Sequence, residues 1–251
     1  MKILQGNALR IGLCFLLFFG VYGVQVAAAN TGLVAVPEKI TDKIISQQRI
    51  VQDFEQVSIY GKATVYYMAS RDNEFRLEIE TASHLLKHVE SNVDSGELTI
   101  KIKHNSEKKE DIIIYIHAPT LSKITLNGDV FLKTQEGRLR ADNFEIKSAG
   151  NSLVSMELDV DDFQAHIIGS SNFTLQGRAK EQAITVEGDG VFKGDKLLGD
   201  VAEINIYGNG NCNVNVSDSL DVSIKGMGVV SYLGSPTVER DIVGFGLVNA
   251  L

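Results

Sequence analysis

The segment Glu203 to Val216, EINIYGNGNCNVNV, decides the fold of this chain. A strand with alternating apolar residues runs into a short glycine-rich turn, and a second alternating strand follows. Similar segments recur toward the C-terminus, as FEIKSAGNSLV, FQAHIIGSSNFTL, AITVEGDGVFK, LDVSIKGMGVVSY and DIVGFGLVNA. The sequence therefore predicts a repeat architecture.

The spacing of the turns indicates the kind of repeat. With the third residue of each turn as the marker, successive gaps are 22, 21, 19, 20, 18 and 18 residues. A period near 20 is too short for a helix pair and suits one rung of a β-solenoid. We therefore expect an all-β, right-handed β-solenoid with little helix. The markers are Gly128, Gly150, Ser171, Gly190, Gly210, Gly228 and Gly246.

The parity of the side chains supports this interpretation. Positions two apart in a strand share a face, so each rung directs one apolar stripe inward. Before the turns the inward positions are Ile146/Phe144, Ile167/Ala165, Val186/Ile184, Ile206/Ile204 and Ile224/Val222. After the turns they are Val130/Leu132, Ser152/Val154, Phe173/Leu175, Phe192/Gly194, Cys212/Val214, Val230/Tyr232 and Val248/Ala250. The opposite parity is mostly polar and should face solvent, as at Asn143, Glu145, Lys147, Gln164, His166, Thr185, Glu187, Glu203, Asn205, Asp221, Ser223 and Lys225.

The turns need small residues for a steric reason. A sharp turn between two sides of a coil often requires positive φ, which glycine tolerates freely. Glycines as in GNGN or GDG could also cradle a phosphate, but the helix and lysine of a phosphate-binding loop do not follow them. Because every rung carries such a turn, a structural role is favoured.

Residues 1–29 have the pattern of a secretory signal peptide. Lys2 and Arg10 form a positive region, residues 11–26 are apolar, and Ala27-Ala28-Ala29 offers a cleavage site. The alternative is an uncleaved anchor, but glycines and Gln25 interrupt the apolar stretch. We expect cleavage, export by the Sec route to the periplasm, cell surface or medium, and no later membrane span.

The charge balance restricts the class of partner. Removing Lys2 and Arg10 from the 24 basic residues leaves 22 against 32 acidic residues, a net charge of −10. Nucleic acid is disfavoured as a partner, because neutralising phosphates needs a basic patch.

The remaining chain divides into three predicted parts. Residues 30–48 carry no clear pattern and should form a flexible leader. Residues 49–120 should form a β-rich layer that caps one end, because an open last rung exposes strand edges and apolar core. Residues 121–251 should form the rungs, continuous with that layer. The predicted strands of the layer are Phe54–Ile59, Thr64–Met68, Phe75–Glu80, Glu97–Lys103 and Asp111–His117, with a charged loop at Asn105–Asp111 and a short turn at His84–Glu90.

An ordered set of short segments resembles a known family. These are Arg49-Ile-Val-Gln-Asp53-Phe54, Leu85-Leu86, Val93-Asp-Ser-Gly-Glu-Leu-Thr-Ile100 and Ala118-Pro-Thr-Leu121, followed by the serial G-x-G turns. Over Arg49 to Leu251 the chain resembles the bacterial auto-transporter adhesin heads called the GIN domain. The resemblance implies a β-helix-like stack behind a signal peptide, and it brings no catalytic residues. Nothing in the sequence resembles a translocator barrel, so the resemblance does not imply autotransport.

Three groups of residues are candidate chemical sites. Cys212 could be a nucleophile or an intermolecular bridge, but its place in an inward column favours packing. His84 and His88 have helical metal-ligand spacing, but no further ligand accompanies them apart from Glu90. Asp159, Asp161 and Asp162 could bind calcium, but a solvated turn is the commoner role of such a run. We therefore predict no catalytic, metal or cofactor-binding residues.

Two functions remain open on the sequence. The first is a non-catalytic envelope or surface module whose polar β-face binds a glycan, a protein or a second copy. The second is a carbohydrate-active β-helix enzyme, such as a polysaccharide lyase or hydrolase, which needs clustered acids and bases in a groove. The absence of such a cluster favours the binding module.

The last rung, Asp241 to Leu251, is cut short. Ile242 and Val248 have inward parity, but no later segment covers them. An uncapped end offers backbone groups and apolar surface to another chain. We therefore expect a homodimer through the C-terminal rung, although the N-terminal layer could instead fold over this end.

Overall fold

The structure, a computed structural model, describes residues 43–71, 73–103 and 111–251. The predicted signal peptide, the leader up to residue 42 and almost all of the predicted charged loop lie outside the described residues. The described part contains fifteen strands in one hydrogen-bonded sheet and one short 3-10 helix. The strands are β1 Ile44–Ile50, β2 Gln56–Ala69, β3 Arg76–Ala82, β4 Val89–Asp94, β5 Glu97–Ile102, β6 Ile113–Ala118, β7 Lys123–Glu136, β8 Leu139–Gly150, β9 Leu153–Gly169, β10 Asn172–Gly188, β11 Val191–Gly208, β12 Asn211–Gly226, β13 Val229–Leu233, β14 Thr237–Gly244 and β15 Leu247–Ala250. The 3-10 helix is Leu86–His88, inside the predicted turn.

From β7 onward, each strand pairs in parallel with the next rung of the stack. In β10 and β11, for example, Ile184 lies opposite Ile204 and Val186 opposite Ile206. The coils form a β-solenoid of about seven turns, which confirms the predicted fold class. Parallel stacking satisfies the backbone groups of every inner rung and places the same inward position of successive rungs in one column.

A column of glycines marks the turn between the two long faces of the solenoid. Each glycine lies opposite the next across neighbouring strands, and each has positive φ. A Cβ on Gly226 would lie 2.2 Å from the carbonyl oxygen of Gly208, so any other residue would clash with the rung before it. The column is Gly61, Gly128, Gly150, Gly169, Gly188, Gly208, Gly226 and Gly244.

This column corrects the register predicted for the first two rungs. The sequence markers aligned Gly150 with Ser171, whereas Gly150 lies opposite Gly169. Ser171 instead bonds to Ser152, with 2.9 Å from the Ser152 N–H to the Ser171 Oγ. The error was two residues, which is the side-chain period of a strand, so inward positions remained inward. Nearly all of the predicted inward positions are buried; only Tyr232 is half-buried and Ala250 is exposed.

The N-terminal part differs most from the prediction. β2 pairs in parallel with β7 along its length and brings Gly61 opposite Gly128, so β2 is itself a rung. On its other edge β2 pairs in parallel with β5 and β6, which form a further rung. The solenoid therefore begins within residues 49–120 rather than at residue 121, and β2 lies between rungs that follow it in the chain.

Antiparallel strands extend the first rung. β3 pairs with β6, β1 pairs with β3, and β4 pairs with β5. β1 begins at Ile44, within the last residues of the predicted leader. Arg49 ties this extension together by donating to Ser91 Oγ at 2.7 Å and to the Val89 carbonyl oxygen at 2.9 Å.

The core is apolar throughout, with a few polar exceptions at the turns. Phe144 stacks on Phe163 at a centroid distance of 6.0 Å, and Phe163 faces Phe192 at 6.3 Å. Near the glycine turns, buried Ser148 and Ser171 join their hydroxyls at 2.8 Å. Gln182 is buried in the column between Phe163 and Ala202, and its Nε2 donates to two backbone carbonyls at 3.3 Å.

The C-terminal end shows two strand edges without a partner among the described residues. β14 pairs only with β12, and β15 pairs only with β13. Arg240 occupies the inward column of β14, opposite Val222, and is exposed. A charge at an inward edge position is a device that opposes further strand addition.

Candidate functional site

The outer face of the strands before the glycine turns is a ladder of polar side chains. Across successive strands one row runs Lys123, Glu145, Gln164, Ala183, Glu203, Asp221 and Glu239, and the next runs Thr125, Lys147, His166, Thr185, Asn205, Ser223 and Asp241. Such rows follow directly from parallel stacking, and they confirm that the polar parity faces outward. This face offers regularly spaced hydrogen-bonding groups to a ligand.

Glu145 is the centre of a charge network on this face. Its carboxylate lies 2.9 Å from Lys123 Nζ and 2.7 Å from Lys147 Nζ, and His166 Nε2 is 3.8 Å away. Partial burial raises the pKa of Glu145, but hydrogen bonds from Lys147 and Lys123 outweigh it and hold the pKa below the ordinary value. The carboxylate is thus held ionised, which does not suit a general acid.

A second polar ladder follows the middle residues of the glycine turns. Asn151 donates to Asp129 at 3.2 Å, and Asn209 donates to Asp189 at 2.9 Å. Toward the C-terminal end the same ladder becomes apolar, first at Met227 and then at Phe245, which is 87% exposed. Val243 and Leu247 extend the apolar surface on either side of Phe245.

A different surface lies on the outer face of the N-terminal rungs. Tyr66 of β2 and Tyr115 of β6 lie opposite each other and stack at 5.4 Å with an interplanar angle of 24°. The outward carboxylates of β3 flank Tyr115: Glu78 lies opposite it in the ladder, and Glu80 is two residues along the strand. Burial first, and then the charge of Glu80, raise the pKa of Tyr115. Both tyrosines are half-buried.

Where β2 and β6 end, three arginines surround a shallow depression of about 410 Å3. Arg71 follows β2, and Arg138 and Arg140 lie at the start of β8; Ser70, Pro119 and Gly137 complete the wall. Arg138 contacts Glu157 at 3.1 Å and Arg140 contacts Asp159 at 3.3 Å, both partly exposed pairs. Beneath the depression the Tyr67 hydroxyl donates to the Ala118 carbonyl at 3.1 Å.

Arg76 and His117 lie between the tyrosine pair and this depression. Arg76 Nη2 is 3.1 Å from His117 Nε2 and 3.2 Å from Nδ1, so the guanidinium lies against the ring face. Burial and then the positive charge of Arg76 lower the pKa of His117. His117 is therefore held neutral at physiological pH.

The structure places Cys212 in the core, as the sequence indicated. It lies between Phe192 and Val230 in the inward column and has no exposed surface. Burial raises the pKa of its thiol to about 12. A thiol that is both inaccessible and protonated does not suit a nucleophile.

The other two candidate groups do not assemble into metal sites. His84 lies before the 3-10 helix Leu86–His88, so the two histidines do not share one helical face. Asp159 pairs with Arg140, and Asp161 pairs with Lys180 of the next strand. Within residues 43–71, 73–103 and 111–251, no cluster of three or more His, Cys, Asp or Glu could hold a metal ion. No helix in those ranges is long and apolar enough to cross a membrane.

Sequence reasoning missed the tyrosine pair and the arginine depression. The outward parity of Tyr66 could be read from the alternation in β2, but its neighbour Tyr115 could not. That contact depends on β2 lying beside β6, which follows it by more than forty residues.

Solved structures share this fold. A "putative adhesin" from Bacteroides fragilis NCTC 9343 is 24% identical with a TM-score of 0.80, over 84% of this chain and 98% of that one. A "putative lipid binding protein" from Parabacteroides distasonis ATCC 8503 is 19% identical with a TM-score of 0.64, over the same shares. A "putative adhesin" from Parabacteroides merdae ATCC 43184 is 19% identical with a TM-score of 0.61, over 84% and 97%. At these identities the likeness shows the fold alone.

Searching the curated proteins gave no match. A family model does match, over residues 53–236, which is well over half of the chain. The matched range begins just before β2 and ends just before β14, so it contains the inserted rung, the arginine depression and every glycine of the column except Gly244. The chain therefore belongs to the family described as "Putative auto-transporter adhesin, head GIN domain".

Proposed function

We propose that the protein is an exported, non-catalytic surface-binding module of the cell envelope, which binds through the outer faces of its solenoid. The observation that carries this proposal is the pair of long rows of polar side chains before the glycine turns. The family description and the adhesin names of the similar structures support it. The signal-peptide pattern of residues 1–29 supports export.

Glycans are the ligand class that this surface suits best. The rows present carboxylates, amides, hydroxyls and lysines at the regular spacing of neighbouring strands, about 4.8 Å. Repeating sugar units carry hydroxyl groups that such acceptors and donors can match. The acidic residues stand in extended rows and hydrogen-bond to lysines, as at Glu145, instead of facing one another across a cleft.

A glycan array with the protein lacking residues 1–29 tests this role. Each glycan that binds is then incubated with the protein and assayed for new reducing ends and for unsaturated products. We expect binding without turnover, and heat-unfolded protein provides the background. Turnover of any glycan would overturn the non-catalytic role and favour a carbohydrate-active enzyme, whereas no binding to any glycan would remove glycans as the ligand.

We further propose that two copies associate through the C-terminal rung. The support is the apolar surface formed by Val243, Phe245 and Leu247, backed by Met227 on the rung before. Arg240 opposes continuous pairing through β14, so the apolar turn, and not that strand edge, is the contact surface. The N-terminal end carries the antiparallel strands β1 and β3, so the contact joins like ends and gives a closed dimer.

A further inference from the structure

The arginine depression is chemically unlike the rest of the molecule. Arg71, Arg138 and Arg140 are three of only eight arginines in a chain whose formal net charge is −8. They come from two separate segments, which the parallel pairing of β2 with β7 brings together. The three arginine side chains lie outside the apolar core, so their arrangement around one depression is not explained by core packing.

The existing ion pairs leave donors available. A guanidinium carries five N–H donors in a planar fork. Arg138 uses Nη2 toward Glu157, and Arg140 uses Nε toward Asp159. Each side chain therefore keeps N–H groups that can bind a second anion. Partly exposed ion pairs of this kind contribute little stability and can rearrange at low cost.

Screening limits the opposing effect of the acidic surface. At physiological ionic strength the Debye length is about 8 Å, so an anion inside the depression is affected mainly by the groups that line it. The lining carries three arginines and Glu157, and Asp159 lies 3.3 Å from Arg140, so three cations stand against two carboxylates. Arginine is the residue that binds planar carboxylate and tetrahedral sulfate best, because two parallel N–H groups match two oxygens.

The neighbouring surface selects among anions. Tyr66 precedes Arg71 by five residues in the same segment, and Arg76 and His117 lie between the Tyr66–Tyr115 pair and the depression. Aromatic rings with a polar tip provide an apolar surface together with a hydrogen-bonding group. The C–H face of a sugar ring fits such a pair, whereas a free inorganic anion gains nothing from it.

We propose that the depression lined by Arg71, Arg138 and Arg140 binds the carboxylate or sulfate of an acidic polysaccharide, with the Tyr66–Tyr115 pair supporting an adjacent sugar. This rests on the proposed glycan-binding role and specifies the ligand class and the site. The arginines hold the anionic group by charge-assisted hydrogen bonds, and the tyrosines give preference for a polymer over a single anion.

Calorimetric titration of the full-length protein with polygalacturonate tests the proposal. We expect the double variant Arg71→Gln/Arg138→Gln to lose about tenfold or more in affinity, because hydrogen bonds to charged groups contribute that much each. The matched control is Arg178→Gln, which removes an arginine that does not line this depression and is paired with Asp200 at 3.7 Å. Tyr115→Ala should weaken polygalacturonate binding by about threefold or more. Thermal melting of each variant confirms that it is folded.

Equal affinity of the double variant and Arg178→Gln would overturn the site. Titration with dextran, a neutral polymer, separates this proposal from the proposed glycan-binding role. If dextran binds and polygalacturonate does not, the protein binds glycans but the arginine depression is not a site for acidic polysaccharide. Titration with phosphatidylglycerol vesicles tests whether the anion is instead a lipid headgroup. Binding to vesicles without binding to polygalacturonate would identify the anion as a lipid headgroup and overturn the polysaccharide.

Discussion

The carbonyl oxygen of Gly208 points at the position that a Cβ on Gly226 would occupy, with only 2.2 Å between them. The same relationship recurs along the column, because each turn is stacked directly on the one before it. Two factors therefore restrict position 226 to glycine. The backbone has a φ of 143°, which other residues rarely adopt, and the preceding rung leaves no room for a Cβ.

We expect Gly226→Ala to destabilise the protein by more than about 3 kcal/mol, because strain of 1–3 kcal/mol at such a φ adds to a clash with backbone. Gly96→Ala is the matched control: its φ is 78°, but nothing lies within 4 Å of the added Cβ. That control should cost only about 1–2 kcal/mol. Urea unfolding followed by circular dichroism measures both. Equal losses would show that close stacking contributes nothing beyond φ.

Ile206→Asp should unfold the solenoid or reduce its stability by more than about 3 kcal/mol. Ile206 has no exposed surface, and the substitution removes apolar volume and adds an unpaired buried charge. The substitution Asn211→Asp adds the same charge at an exposed position of β12, between Val191 and Val229, and should change stability by less than about 0.5 kcal/mol. Thermal melting of the two variants measures the difference in stability. An unchanged melting temperature for Ile206→Asp would contradict the inward position of Ile206.

Stability should fall in acid through His117. Burial and Arg76 hold its pKa below the ordinary 6.5, so the folded protein binds fewer protons than the unfolded chain. The contribution of His117 is fully present above pH 6.5 and is lost as pH falls from 6.5 through the folded pKa. Urea midpoints at pH 7.5 and pH 5 should therefore differ less in His117→Gln than in the wild type. An identical difference in both proteins would remove His117 as a cause.

The thiol of Cys212 should be unreactive until the protein unfolds. Its pKa of about 12, against an ordinary value of 9.0, leaves almost no thiolate at pH 8, and its sulfur is inaccessible. Between those two values the folded protein keeps the proton longer, so stability should fall as pH rises. Ellman's reagent should modify Cys212 only in denaturant, with Cys212→Ser as the background. Rapid modification of the native protein would contradict burial.

The proposed dimer makes a separate prediction. Light scattering at tens of micromolar, the range in which weak interfaces already assemble, should show a dimer for the wild type and a monomer for Phe245→Asp. Phe245 is almost fully exposed, so this change should leave the fold of one copy intact. The control is Ile168→Asp, which changes an exposed apolar residue of β9, away from the C-terminal rung, and should leave the dimer intact. A monomeric wild type would exclude the dimer.

The inward positions were predictable because their evidence is local. Ile146 stays inside whether it is aligned with Ala165, as observed, or with Ile167, since both alignments preserve parity. The place of β2 was not predictable in the same way. Thr64 to Met68 alternates like any edge or inner strand, and only the glycine at residue 61 marks it as a rung. Whatever depends on that placement, including the tyrosine pair and the arginine depression, required the three-dimensional structure.

The insertion of β2 between rungs that follow it has a consequence for folding order. The rungs from β8 to β13 contact their neighbours in sequence, so they can form by local, rapid steps. β2 needs β5 and β6 on one edge and β7 on the other, so its hydrogen bonds cannot be completed until residue 136 is present. A chain that emerges N-terminus first therefore holds its earliest rung unpaired for longest, with Val57, Ile59 and Val65 exposed. We expect β2 to be the segment most dependent on chaperones during synthesis and transport.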